Sequence, residues 1–186
     1  MLGVRTSIEA MGNVVEQQLA ADFQLEDLRV GRHIIRDQRN WKVGELNVEY
    51  LWWALIEPSF QPPAVLAVVK FKDELRALFR PRSVDDTQGH TPTIKLGDWR
   101  DPMLLAFERV NILKEAGGLS LDGIGYHLQI KTWAVDAKFD FSNPRGEGLS
   151  KVESALIDTA RRIVEIQGNR NNEAYLVMWG KYGKGE

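Results

Sequence analysis

The sequence predicts an α+β fold: a small, mainly antiparallel sheet in about residues 120–180, covered by helices, with an N-terminal helical part. Two observations lead to this fold class. Five segments carry apolar residues at helical spacing, and residues 125–133 alternate between the two faces of a strand. The 186 residues, 44% hydrophobic and 27% charged, fit one globular domain. We therefore predict a single domain over 1–186, with a helical part at about 1–81, a loop at about 82–100 and a sheet-and-helix part at about 101–180.

The N-terminal part is predicted to begin with two helices. Thr6 and Glu9 have the spacing of a capping box, which begins a helix that extends to about residue 22. A second helix is predicted over about residues 45–57, because most of that segment is apolar on every side and such a helix is deeply buried. Pro58 ends it.

A third helix is predicted over about residues 63–79, where apolar residues recur on one helical face. Residues 64–71 taken alone also fit a strand, so both interpretations stay open. The polar segment that follows, about residues 82–100, is predicted to be a long loop with a short strand at residues 93–96.

Two further helices have clear start signals. Asp101 can cap a fourth helix, with Pro102 at its first position and Gly117-Gly118 at its end. Ser150 and Glu153 form a capping box for a fifth helix over about residues 150–167.

Three strands are predicted in the C-terminal half. Residues 125–133 alternate and residues 138–141 are the expected hairpin partner. Residues 173–179 are predicted to form a third strand, buried on both faces.

Composition excludes several classes of protein. The chain has no cysteine, so it has no disulfide, no thiolate zinc site and no cysteine nucleophile. Its net charge of −2 lacks the basic excess of a dedicated nucleic-acid binder. The longest apolar run, residues 50–56, is far too short to span a membrane, and the N-terminus does not resemble a signal peptide. We therefore expect a cytoplasmic protein without a membrane contact.

The predicted strand over residues 125–133 carries a candidate catalytic set. Gln129 and Lys131 are two residues apart and project from the same strand face, with Asp122 upstream and Glu108 on the preceding helix. This order of an acidic residue, Gln-x-Lys on a strand, a helix and a strand resembles the core of the PD-(D/E)xK nuclease superfamily.

The resemblance implies a Mg²⁺-dependent nuclease. Glu108 and Asp122 would hold the metal, Gln129 would lie beside it, and Lys131 would position the attacking water. The alternative is a polar strand face that contacts solvent.

A basic segment is the first candidate binding surface. Arg29, Arg32, Arg36 and Arg39 follow one another at steps of three and four residues, which would align them on a helix. From Leu28 to Lys42 the chain has five Lys or Arg against one acidic residue, a local charge of +4. Arginine suits phosphates and carboxylates, so this segment is a candidate contact for nucleic acid or an acidic protein. The alternative is an exposed segment whose charge is balanced by neighbouring acidic residues.

Trp133 is the second candidate binding residue, since it lies on the polar face of its strand, where an exposed tryptophan often marks an interface. We therefore expect a non-catalytic binding or assembly module that self-associates or binds another protein and needs no cofactor. The Mg²⁺-dependent nuclease is the alternative.

Overall fold

The computed structural model describes residues 14–25, 27–37, 40–81, 93–108, 110 and 123–182. These residues contain seven strands and four helices. The strands are β1 (Gly31–Asp37), β2 (Asn40–Pro58), β3 (Ala64–Phe71), β4 (Leu75–Pro81), β5 (Ile94–Lys95), β6 (Ile124–Thr132) and β7 (Asp136–Ser142). The helices are α1, described over residues 14–22, α2 (Pro102–Phe107), α3 (Glu147–Gln167) and α4 (Arg170–Tyr182). The predicted α+β class, with helices packed on an antiparallel sheet, is confirmed.

The strands form one antiparallel sheet in the order β5-β4-β3-β2-β6-β7, and β1 pairs separately with β2. The last nine residues of β2, from Tyr50 to Pro58, pair with β6. Val48 pairs with Gly31 of β1 and also with Phe71 of β3. β1 and β6 therefore pair with the same edge of β2, β1 along its first part and β6 along its last part.

Both faces of the sheet are buried around β2. Trp52 and Ile56 point into a core formed with α2, α3 and α4. Trp53 and Leu55 point to the opposite face, where they pack with residues of α1. Successive residues of a strand point to opposite faces, so a strand between two cores is apolar at nearly every position.

The second and third predicted helices are wrong, whereas the strand alternative for residues 64–71 is confirmed, since these residues form β3. Residues 40–58 are strand β2, and residues 64–81 are the hairpin β3–β4. A strand buried on both faces has the same unbroken apolar run as a buried helix, so periodicity does not separate them. The sheet is accordingly larger than predicted and begins in the N-terminal part of the chain.

The predicted strand over residues 173–179 is also wrong, because these residues lie in helix α4. Tyr175 and Trp179, four residues apart, face the core, whereas Val177 and Met178 are exposed. That pattern belongs to one face of a helix.

The fourth predicted helix begins as expected but is shorter, because α2 ends at Phe107 and not at Gly117-Gly118. The other predicted elements agree with the structure where it describes them. β5, β6 and β7 match the strands predicted near residues 93–96, 125–133 and 138–141. α3 ends at Gly168 in the left-handed conformation (φ 62°), but it starts one turn earlier than predicted. Ser150 therefore lies inside α3, where its hydroxyl donates to the carbonyl of Pro144 (3.2 Å) instead of capping the helix. The capping box at Thr6 and Glu9 lies outside the described residues.

Asp101 caps α2 as predicted and also joins α2 to the sheet. Its carboxylate accepts hydrogen bonds from the Met103 amide (3.0 Å) and from Trp52 Nε1 (2.7 Å). Burial raises the pKa of Asp101, and the bonds from Trp52, Met103 and Tyr50 oppose that increase. The carboxylate is thus a buried acceptor shared by a helix end and the central strand.

Replacing Asp101 by alanine is expected to lower the free energy of unfolding by about 2–4 kcal/mol, because α2 loses its cap and Trp52 Nε1 is left buried without an acceptor. Urea unfolding followed by circular dichroism measures the change. Asp98→Ala is the matched control, since Asp98 is an exposed aspartate three residues earlier. Equal losses in the two variants would contradict this role of Asp101.

Candidate functional site

The β6–β7 hairpin carries a row of polar side chains on the α1 side of the sheet. His127, Gln129 and Lys131 of β6 lie on that side, because Tyr126 and Leu128 point into the opposite core. Asp136 and Asp140 of β7 are the direct cross-strand partners of Lys131 and His127. We call these five residues the polar strip.

Gln129 belongs to the polar strip but is buried. The expectation of a strand face that contacts solvent is therefore wrong at this position. Its exposed fraction is only 2%, and its Nε2 donates to Asp136 Oδ1 (2.6 Å). Its Oε1 has no hydrogen-bond partner, and the same holds for Nε1 of the buried Trp53. Trp53 is the cross-strand partner of Gln129, so an unpaired donor and an unpaired acceptor come from adjacent positions on β2 and β6.

Lys131 connects the hairpin to α1. Its Nζ lies 3.2 Å from Glu16 Oε1 and 3.8 Å from Asp136 Oδ2. The side chain is 15% exposed. This ion pair holds the N-terminal helix against the β6 side of the sheet.

His127 lies between two carboxylates and connects three strands. Its Nδ1 is 2.7 Å from Asp140 Oδ1 on β7, and its Nε2 is 2.8 Å from Glu57 Oε2 on β2. Burial alone lowers the pKa of His127, but the hydrogen bonds and negative charges of Asp140 and Glu57 outweigh burial and raise the pKa above its usual value. The protonated ring donates to both carboxylates at once.

The raised pKa of His127 predicts a pH-dependent stability. The contribution of this group is complete below the unfolded-state pKa of about 6.5 and is lost as the pH rises through the higher folded-state pKa. His127→Gln is therefore expected to flatten the decrease in free energy of unfolding above pH 6.5, measured by urea titrations at several pH values. The variant His33→Gln/His90→Gln, which removes the other two histidines, is the control. A wild-type slope in His127→Gln would contradict the prediction.

Trp133 lies at the tip of the hairpin and is 84% exposed. The turn below it is held by three hydrogen bonds: the Thr132 amide donates to the Val135 carbonyl (2.7 Å), and Thr132 Oγ1 accepts from the amides of Ala134 (3.3 Å) and Val135 (3.1 Å). Val135, also in the turn, is 49% exposed. The hairpin thus presents an indole and an aliphatic side chain from a hydrogen-bonded turn.

The predicted catalytic set is only partly brought together. Gln129 and Lys131 share one face, as predicted. Glu108 does not join them, because it follows α2, whose apolar residues pack on the other face of the sheet. Asp122 lies outside the described residues. Within the described ranges, no group of three or more His, Asp or Glu side chains is arranged to hold a metal ion.

The arginine segment is not the predicted helix, because Gly31–Asp37 is strand β1. Arg32 and Arg36 therefore lie on a strand whose pairing with β2 is interrupted by a bulge after Arg32. Arg29 pairs with Asp27 through Nε (2.7 Å). Arg39 lies outside the described residues.

Several charged residues at the hairpin surface were not predicted from the sequence as part of the site. Asp136, Lys138 and Asp140 alternate along β7, and that alternation was the available signal. Glu57 was hidden inside a predicted helix, so its contact with His127, seventy positions later, had no local signal.

Comparison with known proteins gives no further constraint on function. No protein-family model matches the chain, and neither a curated protein nor a solved structure matches it. None of the described helices is long and apolar enough to cross a membrane.

Proposed function

We propose that this chain is a non-catalytic binding or assembly module and that the β6–β7 hairpin is its contact surface. The observation that carries the proposal is Trp133, 84% exposed at the end of a hydrogen-bonded turn. A tryptophan costs little conformational entropy to immobilise, and tryptophans are enriched among the residues that dominate binding energy.

The hairpin below Trp133 is held on both faces, which supports the proposal. On the α1 side, His127 binds Asp140 and Gln129 binds Asp136. On the other side, ring contacts join Tyr126 to Phe141 and Phe139 to Phe107, with centroid separations of 4.9 and 5.2 Å. A contact surface that is already ordered loses less entropy on binding.

Trp133→Ala is expected to weaken binding of the partner at least about 30-fold, the loss that corresponds to a hot spot of about 2 kcal/mol. The tagged chain is used for affinity purification with quantitative mass spectrometry, and the affinity of each retained protein is then measured by calorimetry. Sedimentation velocity of the purified chain tests a second copy as the partner.

Phe60→Ala is the matched control, because Phe60 is an aromatic residue in another turn and is 68% exposed. The expected result is a stoichiometric partner that wild type and Phe60→Ala retain and Trp133→Ala loses. A strictly monomeric chain with no stoichiometric partner, or a partner retained equally by all three proteins, would overturn the proposal.

The Mg²⁺-dependent nuclease is the second hypothesis, and one observation favours it: Lys131 Nζ lies within 4 Å of the carboxylates of Glu16 and Asp136. We favour the non-catalytic role because Glu108 follows a helix on the opposite face of the sheet. The contacts of Lys131 with Glu16 and Asp136 are also explained by a structural role, in which these ion pairs hold α1 and β7 against β6.

Plasmid nicking with Mg²⁺ or Mn²⁺ distinguishes the two hypotheses. For a non-catalytic module we expect wild type and Lys131→Ala to nick at the background rate of the buffer. Metal-dependent nicking by wild type that Lys131→Ala abolishes would favour the nuclease instead.

A further inference from the structure

Strand β7 forms one edge of the sheet, and no described residue pairs with the outer side of that edge. It is the terminal strand of the sheet order, and its seven residues pair only with β6 among the described residues. The opposite terminal strand, β5, is two residues long. A free edge of seven residues is long enough to receive another strand, whereas a two-residue edge is not.

Two hydrogen bonds determine which backbone groups face the free edge. The Thr132 amide donates to the Val135 carbonyl, and the Asn143 amide donates to the Ile124 carbonyl. In an antiparallel ladder such pairs recur at every second residue, so the odd-numbered residues of this strand bond to β6. The N–H and C=O groups of Asp136, Lys138, Asp140 and Ser142 therefore point away from the sheet.

The side chains at this edge are sorted by face. Those of Asp136, Lys138, Asp140 and Ser142 are exposed on the α1 side. Ala137, Phe139 and Phe141 are half-buried on the helix side, where the two phenylalanines contact aromatic rings. An added strand would meet a charged row on one face and an apolar row on the other.

We infer that the occupant of this edge is β7 of a second copy of the chain, paired antiparallel about a two-fold axis at Phe139. The inference rests on the proposed binding function and identifies the partner for the edge of the same hairpin. In this register Lys138 of each copy faces Asp140 of the other, Asp136 faces Ser142, Ala137 faces Phe141, and the two Phe139 residues face each other. The sheet continues from one copy into the next.

Charge favours this register over the one centred on Lys138. A two-fold axis at Lys138 would place the two lysines opposite each other and Asp136 opposite Asp140, and like charges in direct cross-strand pairs are unfavourable. A two-fold axis at Ala137 would leave only residues 136–138 of each β7 paired with the second copy. The charged row, which usually discourages edge pairing, here disfavours the register centred on Lys138 and permits the one centred on Phe139.

Lys138 and Asp140 are both able to form the ion pair between copies that this register requires. Lys138 has no ion-pair partner among the residues that the structure describes. Asp140 contacts His127 through Oδ1, which leaves Oδ2 for the lysine of the second copy.

Sedimentation velocity over a range of concentrations tests the charge pair. We expect wild type to dimerise, and Lys138→Glu and Asp140→Lys each to weaken the dimer at least about tenfold. The double variant Lys138→Glu/Asp140→Lys restores opposite charges and is expected to recover the dimer. Lys72→Glu, at an exposed lysine in the β3–β4 turn, is the matched control and is expected to dimerise like wild type.

The absence of cysteine from the chain allows a direct test of register. Opposed residues of a non-hydrogen-bonded antiparallel pair have Cα atoms about 4.5 Å apart, within the range of a disulfide. Phe139→Cys is expected to form a disulfide-linked dimer under mild oxidation, whereas Lys138→Cys would do so only in the register centred on residue 138. If Phe139→Cys does not fold, the charge exchange decides alone.

The outcomes separate this inference from the proposed function. A wild-type chain that stays monomeric, or a dimer that the Lys138 and Asp140 variants do not affect, overturns the inference. If such a chain still binds another protein through Trp133, the proposed function stands. A dimer that depends on Lys138 and Asp140 but not on Trp133 supports the edge pairing and removes Trp133 from the proposal.

Discussion

Strand β2 is hydrogen-bonded along both edges and covered on both faces. From Tyr50 to Ile56 it pairs simultaneously with β3 and β6, and its side chains alternate between two cores. Burial of a Val, Leu, Ile or Phe side chain contributes roughly 1.5–3 kcal/mol, so this strand concentrates much of the apolar burial. Among the described strands, β3–β5 and β6–β7 are joined into one sheet only through β2.

Aromatic side chains with polar atoms connect the sheet to the helices above it. Tyr126 on β6 donates to Glu153 of α3 (2.5 Å) and accepts from Trp179 Nε1 of α4 (2.9 Å). Burial raises the pKa of Glu153, and the bond from Tyr126 opposes that increase. Trp52 makes the corresponding contact with Asp101 at the start of α2. Each of the helices α2, α3 and α4 is therefore joined to the sheet by a side-chain hydrogen bond as well as by apolar contacts.

The sequence predicts those elements whose signals are local. The cap at Asp101, the end of the fifth predicted helix at residue 167 and the alternation of β6 each depend on neighbours along the chain, and each agrees with the structure. Strand β2 was predicted as a helix because burial on both of its faces removed the periodicity. Two of the three wrong elements had local signals: Lys72-Asp73, which marks the β3–β4 turn, and the four-residue spacing of Tyr175 and Trp179.

The candidate site was less predictable than the fold because its contacts cross long stretches of sequence. The shared face of Gln129 and Lys131 follows from a spacing of two residues. The partners of that face do not: Glu16 reaches Lys131 from α1, and Glu57 reaches His127 from β2. Only the packing of α1 and the pairing of β2 bring these groups together.

The hairpin combines features that favour binding. Within the part of the chain that the structure describes, the backbone groups on its outward edge are unpaired, and such groups favour association with another strand. Its two faces are fixed by different interactions, since charged and amide groups hold the α1 side and stacked rings hold the helix side. Movement of β7 away from β6 would break both sets at once. The edge and the indole at its end therefore keep one relative position, so a partner that engages both does not have to order them first.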